Sequence, residues 1–258
     1  DELNVVNNVV DFKLDGKVAI VTGCNTGLGQ GMALALAEAG ADIFGVYNSG
    51  TGDTPELVEK LGRKFVGYQA NLSDSSVVQG IVDAALKAYG HIDILVNNAG
   101  TIRREDSVNF SEKDWDDVIN VNLKSLFFLT QACGKHFIAQ KSGKVINVAS
   151  MLSFQGGIRV PSYTAAKSGV KGITMTLANE WAKFGVNVNS IAPGYMSTNN
   201  TAAIRADKDR NEAILDRIPQ GRWGTPDDMK GAVVFLASKA SDYVSGFTLA
   251  VDGGWLGR

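Results

Sequence analysis

The chain has 258 residues, with 25 Lys and Arg against 27 Asp and Glu for a net charge of −2, and a pI near 5.7; with no basic run to track a phosphate backbone, a nucleic-acid role is excluded. Only Cys24, Cys133, His91 and His136 are available as soft ligands, too few and too scattered for a disulfide framework or a zinc centre, so no metal is expected. The length suits one α/β domain over 1–258, in which residues 1–12 form an extension that no motif explains.

Asp1 to Asp15 carries acids and Asn rather than a basic, apolar export signal, and no apolar run approaches the ~20 residues that span a bilayer. The cytoplasm is therefore the expected location. Short apolar runs then alternate with segments of helical period, the pattern of a parallel sheet wrapped by helices. Seven strands are predicted at about Val18–Val21, Ile43–Val46, Phe65–Gln69, Ile92–Val96, Lys144–Val148, Asn187–Ile191 and Phe247–Val251. Several are apolar throughout, as strands covered on both faces should be. Helices are predicted over Gln30–Ala39, ended by Gly40, over Asp74–Tyr89, ended by Gly90, and from Ser111 toward Ala139. Thr225-Pro226-Asp227-Asp228 supplies a cap, a first-turn Pro and early acids for another helix.

Gly23, Asn71, Asn97, Ser150 and Pro193 each follow a predicted strand. In an open parallel sheet the carboxyl ends of the strands form the ligand crevice, so five loops should converge on one site. The loop Thr22-Gly23-Cys24-Asn25-Thr26-Gly27-Leu28-Gly29 links the first strand to a helix. Its small residues admit a pyrophosphate to the free amides at the helix N-terminus. Asn97-Asn98-Ala99-Gly100 adds an amide-rich loop where a ribose or nicotinamide could lie. Tyr163 and Lys167, four apart, lie one above the other on a helix, so the ammonium is expected beside the phenol, favouring its ionised form.

Thr22-Gly23-x-x-x-Gly27-x-Gly29, Asn97-Asn98-Ala99-Gly100, Asn122, Ser150, Tyr163-x-x-x-Lys167 and Pro193-Gly194 together resemble, in order, the motif set of the short-chain dehydrogenase/reductase family. That resemblance implies a doubly wound Rossmann-type fold, a nicotinamide dinucleotide and a homotetramer. It implies that Tyr163 is the acid/base, that Ser150 hydrogen-bonds the substrate oxygen, that Lys167 holds the nicotinamide ribose and tunes Tyr163, and that Asn122 helps hold a relay water. Cofactor contacts are implied for Gly23, Asn25, Thr26, Gly27, Leu28 and Gly29 in the first loop, for Tyr47, Asn71 and Leu72 on the adenosine side, and for Asn98, Ala99 and Gly100. Tyr163, Lys167, Pro193, Gly194 and Thr198 would complete the cofactor site.

NAD-preferring members place an Asp after the second strand, where this chain has Tyr47 and Asn48, and NADP-preferring members place a cation there or at the position of Thr26. With no cation to pair an extra phosphate, NAD is the expected cofactor. Ile102–Asp106, Ser153–Ser162, Pro193–Met196 with Thr198–Thr201, and Gly221–Gly224 further resemble a bacterial subfamily of 2-dehydro-3-deoxy-D-gluconate 5-dehydrogenases. A sugar-acid substrate needs a cation for its carboxylate. Arg103, Arg104, Arg159, Arg205 and Arg222 are candidates, with Gln155, Asn199 and Asn200 as polar partners. Tyr195–Trp223 is expected to close over the substrate. A reductase for another carbonyl would share every catalytic residue, and a dinucleotide sensor would need none of Ser150, Tyr163 and Lys167.

Overall fold

A computed structural model describes residues 10–258; residues 1–9 of the N-terminal extension lie outside the described part. Seven strands, β1 (Val18–Thr22), β2 (Asp42–Tyr47), β3 (Phe65–Gln69), β4 (Ile94–Asn97), β5 (Gly143–Val148), β6 (Val186–Pro193) and β7 (Thr248–Val251), form one sheet in the order β3-β2-β1-β4-β5-β6-β7. All of its pairings are parallel. Each predicted strand is present, with ends moved by a residue or two. The last begins at Thr248 because Phe247, 56% exposed, stands outside the sheet.

Both faces of the sheet are covered, and β1 shows why its run is apolar throughout. Ala19 and Val21 point into one core with Met32 and Leu36 of α1 (Gly27–Glu38) and with Met229 and Val233. Ile20 points to the opposite core, where it meets Ile81 and Val82 of α3 (Val78–Tyr89) and Leu129 and Phe137 of α5 (Ser125–Gln140). Alternate residues on one strand thus enter two different cores. Between α1 and α3 lies the short α2 (Thr54–Lys60). Helices α4 (Glu112–Ile119), α6 (Pro161–Trp181), α7 (Ala202–Ala206), α8 (Lys208–Arg217) and α9 (Lys230–Ala237) complete the set.

The long helix expected from Ser111 is interrupted. Ser111 caps α4 by accepting from the Asp114 amide at 3.1 Å, but a π-helical turn over Asn120–Lys124 separates α4 from α5. The predicted Asp74 helix opens with a 3-10 turn, Ser75–Val77, capped by the Asp74 carboxylate. The Thr225 helix likewise opens with a 3-10 turn, Pro226–Met229, before α9. Helices α2, α7 and α8 were not legible as apolar stripes; α8 has no buried residue.

The chain reverses sheet direction between β1 and β4. Ala19 pairs with both Ile43 and Ile94, so β2 and β4 leave β1 on opposite sides and their connecting helices diverge. The crevice at such a switch point opens above the carboxyl ends of β1 and β4, where the first glycine loop and the Asn98 loop meet.

Candidate active site

The first loop is shaped by what it excludes. Gly23 (φ 62°) and Gly27 (φ 55°) occupy left-handed backbone. A side chain at Gly29 would overlap the Gly23 carbonyl oxygen and the Asn98 amide. The Thr22 hydroxyl accepts from the amides of Asn98 (3.0 Å) and Ala99 (2.9 Å), and Asn98 Nδ2 donates to the Gly23 carbonyl at 3.1 Å. Two loops from adjoining strands are thereby locked into one cradle. The N-terminus of α1 has neither a side-chain cap nor an acid in its first turn, so its leading amides are free for an anion. Thr26 is exposed, and the Thr198 methyl would lie 3.6 Å from a Cβ at Gly27, which closes the cradle from above. These residues fit a dinucleotide pyrophosphate.

On the adenosine side, Tyr47 ends β2, and Asn48 beside it is exposed. Asn71 is exposed, its Oδ1 engaged by the Ser73 amide (3.0 Å) and hydroxyl (2.8 Å), which leaves its Nδ2 outward. Leu72 differs from expectation: its side chain belongs to the core, and its carbonyl accepts from the buried Ser125 hydroxyl. Only its amide is left to face a ligand.

The catalytic candidates come from three elements. Ser150 follows β5 and caps a 3-10 turn, Met151–Ser153, with its Oγ accepting from the Leu152 amide at 3.1 Å. Ser153 Oγ takes the Ser150 amide (3.2 Å) and donates to the Lys167 carbonyl (2.7 Å), tying this turn to α6. Tyr163 is half-buried on α6, close to Ser150. Burial pushes its phenol up from the ordinary value, opposed by the nearby Ser150 hydroxyl and then by the positive charge of Arg104.

Lys167, 4% exposed, donates to the Val148 carbonyl at 2.8 Å, and its Nζ lies 5.5 Å from the Tyr163 ring centre. Burial lowers the Lys167 ammonium to about 8. The expected placement of the ammonium beside the phenol is therefore present, but the expected lowering of the Tyr163 pKa is not the governing effect, because loss of water around the phenol outweighs it.

Asn122, fully buried, sits in the π turn. Its Nδ2 donates to the Thr101 carbonyl (2.9 Å) and its Oδ1 accepts from the Thr101 amide (2.8 Å). One donor and one acceptor of the side-chain amide are thus engaged by the loop after β4. Backbone carbonyls that the π turn displaces from the regular helical ladder offer a further place for a water.

Asn97 does not reach the crevice. It is the last residue of β4, 4% exposed, and donates to Thr130 Oγ1 and Asn147 Oδ1, both at 2.9 Å. Asn147 Nδ2 donates to Thr174 Oγ1 (3.1 Å), which pairs with Ser190 Oγ (2.6 Å). This buried chain runs from α5 through β4 and β5 to α6 and β6. Its members read as ordinary strand and helix residues in the sequence; only their side-by-side placement reveals the chain.

Four of the five candidate arginines have partners within the chain. Arg103 reaches Thr101 Oγ1 (2.8 Å) and lies near Asp117 (3.7 Å). Arg159 pairs with Asp106 (2.8 Å), Arg205 with the Thr198 carbonyl (2.8 Å), and Arg222 makes a two-pronged pair with Asp228 (2.8 and 2.9 Å). Arg104 is exposed, has no ion-pair or hydrogen-bond partner among the described residues, and projects its charge onto Tyr163. Gln155 Oε1 receives Trp255 Nε1 and Arg217, each at 3.4 Å. Asn199 and Asn200 are exposed on the turn before α7. The expected covering segment is pinned at its base, where Met196 bridges Gly224 and the Tyr195 and Trp223 rings meet edge-on at 5.6 Å.

The family model described as enoyl-(acyl carrier protein) reductase matches residues 23–256. The 2-dehydro-3-deoxy-D-gluconate 5-dehydrogenase of Escherichia coli is 64% identical over 248 residues, which cover 96% of this chain and 98% of that protein. A solved structure from Agrobacterium tumefaciens with bound NADP, assigned to a 2-deoxy-D-gluconate 3-dehydrogenase, is 55% identical with a TM-score of 0.92, covering 97% of this chain and all of that one. The gluconate 5-dehydrogenase of Burkholderia cenocepacia, solved with NADP and tartrate, is 36% identical with a TM-score of 0.92, covering 96% of this chain and 98% of that one. With a nicotinamide-type crevice, a Ser-Tyr-Lys group at its edge and relatives this similar over almost its whole length, the chain belongs to the short-chain dehydrogenase/reductase family of oxidoreductases.

Proposed function

We propose that the chain interconverts 2,5-diketo-3-deoxy-D-gluconate and 2-keto-3-deoxy-D-gluconate with NAD(H), a step in the breakdown of pectin-derived hexuronates. The observation that carries this reading is Arg104, which is exposed, has no partner among the described residues and is near enough for its charge to act on Tyr163. In such an acid the carboxylate lies four bonds from C5, roughly 5 Å when extended, so one guanidinium beside the tyrosine can hold it while C5 meets the phenol. The high identity to the E. coli enzyme supports the same substrate.

The bound dinucleotide supplies the hydride. The α1 amides of Gly27, Leu28 and Gly29 would hold its pyrophosphate, with Tyr47, Asn71 and Asn98 along the nucleosides and Lys167 at the nicotinamide ribose. The Tyr163 phenol gives its proton to the substrate oxygen as negative charge develops there, and the Ser150 hydroxyl donates to the same oxygen. Because burial keeps the phenol protonated at neutral pH, it is ready to act as an acid. Oxidation requires the phenolate, so the oxidative rate should rise with pH. NAD(H) is assigned because Thr26 and Asn48, the positions that would meet an extra phosphate, are uncharged. The same reading places the enzyme in the cytoplasm as a homotetramer. Phe128, exposed on α5, and Phe247 beside the edge strand β7 offer apolar surface for subunit contacts.

Loss of reduced-cofactor absorbance with 2,5-diketo-3-deoxygluconate, run in parallel with NADH and NADPH, tests substrate and cofactor together. Saturable loss favouring NADH is expected. Preference for NADPH would overturn the cofactor assignment, and activity confined to oxoacyl thioesters or neutral ketones would overturn the substrate.

A further inference from the structure

The chain ends in a turn that touches the Ser150 loop, the Gly194 loop and α8 at once. Asp252 nucleates it by accepting from the amides of Gly254 and Leu256, each at 2.9 Å. Gly253 and Gly254 carry the positive φ angles, 63° and 96°, that swing the chain back. Trp255, 4% exposed, then enters a small core with Leu126, Ala149, Met151, Val170 and Ile218, separate from the two cores against the sheet faces.

Each edge of the indole meets a different loop. Its Nε1 donates to Gln155 Oε1 (3.4 Å), on the segment that follows Ser150. Its ring lies 4.7 Å from the Tyr195 ring, next to Gly194. Its face carries the Arg217 guanidinium at 4.0 Å, and Arg217 at the end of α8 also donates to Gln155 (3.4 Å). Arg258 Nη1 adds a bond to the Asp216 carbonyl (2.8 Å), so the terminal residue also holds α8. A helix with no buried residue of its own takes its position from such contacts.

We propose that Trp255 is a positioning residue for substrate selection: the C-terminal turn latches α8 to the Ser150 and Gly194 loops and thereby fixes the far wall of the sugar-acid pocket. The proposal rests on the sugar-acid reading for its substrate. The Gly194 loop also borders the cofactor site, but no latch contact falls on the first glycine loop or α1, so NADH affinity should respond far less than the KM for the acid.

Three variants, Trp255→Ala, Trp255→Phe and Arg217→Ala, test it through KM and kcat for the diketo acid, kcat/KM for a short neutral ketone, NADH affinity, and hydrogen exchange of α8 and α1. Trp255→Ala should raise KM for the acid about tenfold, the effect of losing one or two aromatic or cation–π contacts. NADH affinity and the short-ketone rate should stay within about twofold. Amides of α8 should exchange faster while those of α1 do not. Trp255→Phe and the surface change Arg217→Ala should act in the same direction, more weakly. Unchanged KM with unchanged α8 exchange overturns the latch, as does an equal loss of NADH affinity and α1 protection. If the unmodified protein turns over no 5-keto acid, the substrate reading fails separately, and the exchange of α8 in Trp255→Ala still decides the latch.

Discussion

Replacing Lys167 by Met separates stability from function at one side chain. The ammonium is 4% exposed, with a single hydrogen bond to the Val148 carbonyl, and burial brings it from 10.5 to about 8. A folded value below the unfolded one means that the native protein sheds this proton first. The cost of burying the charge is therefore fully present below pH 8 and is relieved as pH rises toward 10.5. The shift corresponds to about 3 kcal/mol across that window. Met fills the same space without charge but leaves the Val148 carbonyl unpaired, a cost of about 1–3 kcal/mol. At pH 7 the two effects roughly offset, and the variant should be as stable as the parent or slightly more so. The diagnostic is the pH dependence. In urea unfolding at fixed protein concentration, the stability of the parent minus that of Lys167→Met should climb by about 3 kcal/mol between pH 7 and 10.5. Cys24 and Cys133, pushed up to about 11 and 12 by burial, pull stability the other way above pH 9, but they do so in both proteins and cancel in the difference. Turnover of the variant should fall by about 10²-fold or more even where it is the more stable protein. A difference that stays flat with pH would refute the desolvated ammonium on which the argument rests.

Tyr163→Phe should keep the fold and cofactor affinity and lose about 10²–10⁴ in kcat; near-normal turnover would remove Tyr163 from the mechanism. Gly29→Ala should abolish measurable dinucleotide binding, since its methyl meets the Gly23 carbonyl, and calorimetry showing intact affinity would contradict the cradle. Thr174→Val strands Asn147 Nδ2 and Ser190 in the core, so unfolding should show a loss of about 1–3 kcal/mol, whereas Thr174→Ser should recover most of it. Arg104→Met should raise KM for the sugar acid while leaving KM for a neutral ketone alone; equal effects on both would show that Arg104 does not bind the carboxylate.

The sequence by itself determined the strands and the end of the sheet at which the motif residues gather. Short runs such as Val18–Val21 read as strands buried on two faces, and Gly23, Ser150 and Pro193 then fall at strand carboxyl ends because parallel topology puts every such loop on one side of the sheet. Local chemistry also marked the helix start at Ser111. What tertiary structure decided is everything that depends on neighbours remote in the chain. Asn97 read as a crevice residue because it ends a strand, yet the partners that take it into the core, Thr130 and Asn147, lie 33 and 50 residues away. The five arginines were equivalent as letters, and only the placement of Asp106, Asp117, Asp228 and Thr198 left Arg104 free. The phenol of Tyr163 was expected to follow its helical neighbour Lys167, but desolvation is a property of the assembled site, and it governs. Periodicity and turn chemistry act over a few residues and can be read along the chain; burial, charge pairing and the closing of Trp255 onto α8 are set by packing, which no local pattern encodes.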